Sequence, residues 1–191
     1  MSDKRFLPVD FPLPALEVPG KWKIKPLGRD DLERDYAAIM SSIDHLRDGG
    51  FMLDPARGID WPSPTWSKDE AMLGLAHDEL GNLGRFWMCL AVISPDDSEE
   101  YGCIYVWPSF KAGWDAMVMM WTSAARYEEL DAKLWEWTKA WVTRTFPFDE
   151  SSVAYPGREI PWDEWEALDD AMMPVSDILH FLEGTEASGL D

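Results

Sequence analysis

The stretch from Phe86 to Tyr155 constrains the fold more than any other part of the chain. Three apolar runs, Phe86 to Ile93, Tyr101 to Trp107 and Asp115 to Thr122, follow one another. Turn signals separate them, Ser94-Pro95-Asp96-Asp97 after the first and Pro108-Ser109 after the second. Runs of that length closed by short polar turns predict an antiparallel meander. The next segment, Tyr127 to Arg144, changes period, with Leu130, Leu134, Trp137 and Trp141 on one helical stripe. Ser152 to Tyr155, closed by Pro156-Gly157, then reads as one more short strand. A strand joined to the next through a long helix is a crossover, so the third meander strand and this last one should run parallel.

Upstream, Trp22 to Leu27 alternates apolar and basic residues and suits a first, edge-like strand. The segment before it carries Pro8, Pro12, Pro14 and Pro19 and reads as an extended arm lying on the body. A helix should follow the strand, with Asp30 as N-cap, Glu33 three residues on, and Leu32, Tyr36, Ile39, Met40, Ile43 and Leu46 on one face up to Gly49-Gly50. Phe51 to Trp66 is a Pro-rich loop lined by Trp61 and Trp66. Ser67 and Glu70 form a second capping box, opening a helix to about Leu80 with Met72, Leu75, Ala76 and Leu80 inward. The expected fold class is α+β: a mixed central sheet with an antiparallel meander, two N-terminal helices and one long crossover helix. The expected division is a Pro-rich arm over residues 1–21, a domain over 22–158 and an acidic extension over 159–191.

Charge narrows the function classes. Lys and Arg number 17 against 36 Asp and Glu, a net charge of −19. Such a chain repels phosphates at long range, so direct nucleic-acid binding is not expected. The longest apolar run, Phe86 to Ile93, is eight residues, far short of the about 20 that a membrane span needs. Pro8, Asp10, Pro12 and Pro14 interrupt any signal-peptide core, so a cytoplasmic location is expected. From Glu159 onward there are ten acids and no Lys or Arg, more than half of the net charge. That extension reads as a solvated cover, a partner-binding surface or a lid over a cleft. Pro161 suits the first turn of a helix within it, and Ser176 to Glu183 has room for a last turn or two. Trp162 and Trp165 would share a face of that first helix, on which a second copy could dock as a homodimer. Cys89 and Cys103 lie in strand-like runs without cationic neighbours and read as small buried hydrophobes. The histidines are scattered and His77-Asp78-Glu79 is not a zinc-helix motif, so no metal site is expected.

The order of elements, with Tyr101-Gly102-Cys103-Ile104-Tyr105-Val106-Trp107-Pro108-Ser109, Asp115-Ala116-Met117-Val118 and Tyr155-Pro156-Gly157-Arg158, resembles the GNAT superfamily of acyl-CoA N-acyltransferases. More narrowly, it is similar to a little-characterised prokaryotic group of GNAT-like proteins. The resemblance covers about residues 22–158. It implies that the fourth strand and the strand after the long helix splay apart, leaving a notch for a pantetheine arm. It also implies that the turn before the long helix holds the CoA pyrophosphate on backbone N–H groups, with the signature Arg/Gln-x-x-Gly-x-Gly/Ala. Unpaired amides and partial positive charge at a helix N-terminus suit an anion.

Laid on this chain, the signature falls on Arg126-Tyr127-Glu128-Glu129-Leu130-Asp131. Arg126 matches, while Glu129 and Asp131 occupy the glycine positions. A carboxylate about 6 Å from a phosphate costs about 3 kcal/mol at an effective dielectric near 20, against about 0.3–1 kcal/mol returned by a helix end. Either these acids stabilise the first turn of a helix that binds nothing, or they face solvent and leave the amides free.

The resemblance thus implies acetyl transfer from acetyl-CoA to a small-molecule or peptide amine, or a relic that kept the fold as a non-catalytic binding or assembly module. In the first case Thr122, Ser123, Ala124, Arg126 and Tyr127 would hold the cofactor. Tyr155 would protonate the leaving thiolate and Asp115 would be the base. Trp61, Trp66 and Tyr105 would border the acceptor, the Trp pair walling a cation through cation–π contact or else plugging the cleft. Arg158 would meet a phosphate or acidic substrate, or pair with a local carboxylate.

Overall fold

The structure is a computed structural model that describes residues 5–49, 53–54 and 59–171. Pro174, the Ser176 to Glu183 segment and His180 lie outside the described residues. Eight strands are described, β1 (Leu16–Val18), β2 (Trp22–Pro26), β3 (Leu53–Asp54), β4 (Ile59–Asp60), β5 (Met88–Ile93), β6 (Glu100–Pro108), β7 (Ala116–Thr122) and β8 (Val153–Ala154). The α-helices are α1 (Leu32–Met40), α2 (Ile43–Asp48), α3 (Lys68–Gly84), α4 (Tyr127–Thr145) and α5 (Trp162–Ala167). Six strands form one sheet in the order β1-β2-β5-β6-β7-β8, and β3 and β4 make a separate hairpin. β5, β6 and β7 are the expected meander, paired antiparallel, and β8 runs parallel to β7 after the α4 crossover. The fold is the α+β arrangement expected, a mixed sheet with an antiparallel meander and a long crossover helix. No helix among the described residues is long and apolar enough to cross a membrane.

Two layers cover the sheet. On one face α4 packs with Leu130, Leu134, Trp141 and Val142 against Leu90, Ile104 and Val118. The N-terminal arm joins this layer through Leu7 and Phe11, whose ring lies tilted 5.0 Å from that of Phe146. The arm is not extended coil throughout, however: β1 pairs with β2, so β2 is an interior strand and β1 takes the edge. On the other face α1, α3 and α5 cover Cys89, Ala91, Cys103, Tyr105, Met119 and Trp121. Both cysteines are free and fully buried, as hydrophobes in a strand should be.

Three local departures from the sequence expectation position the site. First, the helix expected over Asp30 to Leu46 is broken. A 3-10 turn at Arg29–Asp31 precedes α1, with the Asp31 carboxylate accepting the Gly28 N–H, and a Ser41-Ser42 break separates α1 from α2. Serine hydroxyls compete with helical bonding. Ser41 Oγ donates to the Ala38 carbonyl and buried Ser42 Oγ accepts the Ala124 N–H at 3.0 Å.

Second, α3 begins at the Ser67–Glu70 capping box but runs on to Gly84 with a different stripe inward. Leu80 is 67 % exposed, while Ala71, Leu75 and Asn82 are buried. Asn82 explains the rotation: its Nδ2 donates to the Leu27 and Cys89 carbonyls, and its Oδ1 accepts the Cys89 N–H at 2.9 Å. Those bonds tie α3 to β2 and β5, and a leucine stripe cannot replace them.

Third, β6 carries a bulge. Val92 pairs with Gly102 but Ile93 pairs with Glu100, so Tyr101 is the extra residue. Gly102 meets the bend with φ +153°, and a Cβ there would lie 2.0 Å from the Trp121 carbonyl oxygen. The bulge turns Tyr101 toward α4 and Glu100 toward Cys103, on the α1 side.

Candidate functional site

The turn between β7 and α4 is the one on which the sequence resemblance places an expected pyrophosphate site. Of its amides, Ser123 N–H donates to the Tyr101 carbonyl at 2.8 Å, Ala124 N–H to Ser42 Oγ, and Arg126 N–H to the Ser123 carbonyl at 2.9 Å. The Arg126 side chain is engaged within the chain: its Nε donates to Glu99 at 3.0 Å, and the guanidinium lies 4.9 Å over the Tyr101 ring. Tyr127 is 40 % exposed and stacks edge-on with His45 at 4.5 Å. Thr122 is buried, and its Oγ1 donates to Asp131 Oδ1 at 3.0 Å. Glu128 and Glu129 face solvent as first-turn acids, but Asp131 does not.

Beyond the turn, β7 and β8 part. They pair only at Ala116 with Val153 and Met117 with Ala154, while β7 continues to Thr122. After β8 the chain reverses at Gly157, whose φ of +74° excludes a side chain twice over, since a Cβ there would lie 2.5 Å from Trp162 Nε1. The reversal brings Arg158 back onto α4. Its two terminal nitrogens donate to the two oxygens of Asp131, each at 2.6 Å, and its guanidinium lies 5.7 Å from the Trp135 ring. Bidentate carboxylate–guanidinium pairs are among the strongest charge-assisted contacts. A cavity of ≈ 140 Å³ remains in the gap, bordered by Trp121, Thr122, Tyr127, Asp131, Arg158 and Trp162. The carboxylate at the last glycine position of the signature therefore occupies the gap, held there by the chain's own arginine.

The two residues expected to act on the thioester flank the paired ends of β7 and β8, where the Asp115 N–H donates to the Ser152 carbonyl at 2.9 Å, three residues before Tyr155. Asp115 is exposed at the start of β7, about 25 Å along the strand from Ser123. Tyr155 is 5 % exposed and packs into the α4 layer, edge-on to Trp135 at 5.2 Å and beneath Lys139 at 5.6 Å. Burial pushes its phenol above the ordinary value, and Lys139 only partly offsets this.

Trp61, Trp66 and Tyr105 do come together, on the opposite face of the sheet. They border a pocket of ≈ 290 Å³ with Trp107. β6 supplies Tyr105 and Trp107 at a spacing of two, so both project to the α1–α3 side. Tyr105 OH accepts from Trp121 Nε1 at 3.1 Å, Trp61 lies 6.3 Å from Trp66 and 6.2 Å from Trp121, and Tyr36 OH holds the Trp66 carbonyl at 2.9 Å.

Sequence reasoning missed the acids of this pocket. Asp35 from α1, and Glu70 and Asp78 from α3, line it. Behind Asp35, which is 3 % exposed, Glu100 and Cys103 have polar atoms within 4.8 Å of it and of one another. Cys103 Sγ donates to Glu100 Oε1 at 3.1 Å, and Cys89 Sγ to Asp78 at 3.2 Å. Burial pushes the Asp35 carboxyl up to about 7, and burial with the Asp35 charge pushes Glu100 well above the ordinary carboxylate range. Glu100 Oε2 has no hydrogen-bond partner among the described residues and lies 3.8 Å from Arg34 Nε. Two carboxyls and a thiol are donor types a metal accepts, but burial keeps both thiols here protonated and Arg34 already supplies positive charge. A signal for Asp35 exists in the sequence, because it stands four residues before Ile39 on the apolar stripe of α1. Glu100 has none, since strict alternation puts it on the α4 side and only the bulge reverses it.

No family model and no curated protein matches this chain. Among solved structures, the ribosomal-protein-S5-alanine acetyltransferase from Vibrio fischeri is similar, at 8 % identity and a TM-score of 0.49 over 69 % of this chain and 68 % of that one.

Proposed function

We propose that this chain is a non-catalytic binding protein built on a GNAT-like fold, in which the mouth for acyl-CoA is closed. One observation carries the reading: the Asp131 carboxylate, held by Arg158 and Thr122, sits where β7 and β8 part. A pyrophosphate entering there would meet a fixed negative charge, and Arg158 could turn to it only by abandoning Asp131. Removing one partner from a buried ion pair costs about 3–5 kcal/mol, more than a helix N-terminus returns. The engaged amides of Ser123, Ala124 and Arg126 add to the reading.

A second reading, acetyl transfer from acetyl-CoA to an amine, draws on the parting of β7 and β8 itself. In it the amine attacks the thioester carbonyl, the thiolate leaves with a proton, and a base takes the proton from the amine nitrogen. Calorimetric titration with acetyl-CoA and CoA separates the two. The first reading expects no binding heat up to about 1 mM ligand in the native chain, and a gain of at least about tenfold in affinity in Asp131→Ala. A dissociation constant below about 100 µM in the native chain, lost in Arg126→Ala, overturns it in favour of the transferase.

A further inference from the structure

We propose that the aromatic pocket between α1, α3 and β6 binds a small alkylammonium ion of the choline type, with Trp61, Trp66 and Tyr105 as its walls and Asp35 as its counter-charge. This deepens the reading above by naming a ligand class, and it stands apart from the CoA gap. The pocket is bordered by aromatic rings and by Asp35, Glu70 and Asp78, and among the described residues that line it there is no Lys or Arg. An ammonium ion is attracted to aromatic faces by their quadrupole, the more so when water is partly excluded. An anion would meet carboxylates on two helices. A neutral apolar guest would add no counter-charge for Asp35.

The occupancy of the pocket is coupled to a proton. The groups that face Asp35 are Asp31 and Arg34 from its own end of the helix, Asp78 from α3, Cys89 from β5, and Glu100, Cys103 and Tyr105 from β6. Acids predominate among them, so the empty pocket retains a proton on the Asp35–Glu100 pair near neutral pH. An ammonium ion arriving beside Asp35 supplies the missing positive charge, and that carboxyl then gives up its proton to solvent. Binding should therefore tighten as pH rises through about 7 and should release protons below that point. His77 stands at the pocket rim 3.7 Å from Asp78, so His77→Gln isolates the contribution of Asp35.

The test titrates the full chain with choline, followed by tryptophan fluorescence and by calorimetry in phosphate and in Tris. Choline has no titrating group in this range, so any proton exchanged comes from the protein. The expected result is saturable binding with a dissociation constant below about 1 mM and at least tenfold weaker binding of the uncharged tert-butyl isostere of choline. Release of up to about one proton per ligand near pH 6.5, vanishing near pH 8.5 and kept in His77→Gln, is expected with it. Asp35→Asn should lose both the proton release and at least tenfold in affinity above pH 8. Equal binding of the isostere, or no saturation by about 20 mM choline, overturns the site. Saturable binding without proton release in the native chain overturns the role of Asp35, and that result stands even if Asp35→Asn does not fold. Failure of choline to bind leaves the closed CoA mouth untouched, because the acetyl-CoA titration reads that separately.

Discussion

Two buried acids, each placed by a partner distant in sequence, decide the chemistry at the residue scale. Asp131 is satisfied by Arg158 and Thr122, so Arg158→Ala should destabilise the chain by about 3 kcal/mol by stranding the carboxylate. Arg158→Ala with Asp131→Ala should recover part of that loss, because the stranded charge goes with it. Urea unfolding midpoints of the two single variants and the double variant check this, and strict additivity would contradict it. Asp35 behaves in the opposite sense. Its carboxyl titrates at 3.8 in the unfolded chain and is pushed by burial up to about 7 in the fold. Between those values the folded protein holds a proton that the unfolded chain releases. This group therefore costs stability progressively from about pH 4 to about pH 7, by at most about 4 kcal/mol, and no further above that. Asp35→Asn should remove that slope. Thermal midpoints from pH 4 to pH 8 would show the variant gaining on the native chain as pH rises, and parallel profiles would contradict the linkage.

Among elements, the start of the acidic extension is not a loose appendage. Lys111, between β6 and β7, is 2 % exposed, and its Nζ donates to the Glu166 and Leu168 carbonyls at 3.1 and 3.0 Å and to Asp170 at 2.9 Å. Backbone bonds from Ala112 to Asp169 and from Ala171 to Phe110 fasten the same segment. Trp165, expected on a dimer face with Trp162, is 4 % exposed in the chain's own core, 6.4 Å from Trp114, while Trp162 lines the gap. Lys111→Met keeps the length of the stem but leaves the two carbonyls without their donor. It should raise amide hydrogen exchange over residues 162–171 at least about tenfold while leaving β5 to β7 protected. Unchanged exchange in α5 would show that Trp165 packing alone holds the segment.

Across the whole molecule, the sheet divides two populations of residues that sequence order interleaves. Tyr155 and the stripe of α4 lie on one face, and Tyr105, Trp61, Trp66 and Asp35 on the other. An acceptor side and a thiolate side drawn from these residues do not meet, which the list of candidate side chains alone could not reveal. What was legible in the sequence was whatever is set within a few residues: the meander from apolar runs closed by polar turns, α4 from its stripe, the Ser67–Glu70 cap, and the parallel β7–β8 pair from the crossover rule. Those features depend on backbone geometry and local hydrogen bonding, whose periods are short. The tertiary structure alone decided that β1 covers the edge, that the Tyr101 bulge turns Glu100 toward Asp35, and that Arg158 reaches across to Asp131. Each of these joins groups far apart along the chain, and the free energy of such a contact depends on burial and on neighbouring charges that exist only once the two faces of the sheet are covered.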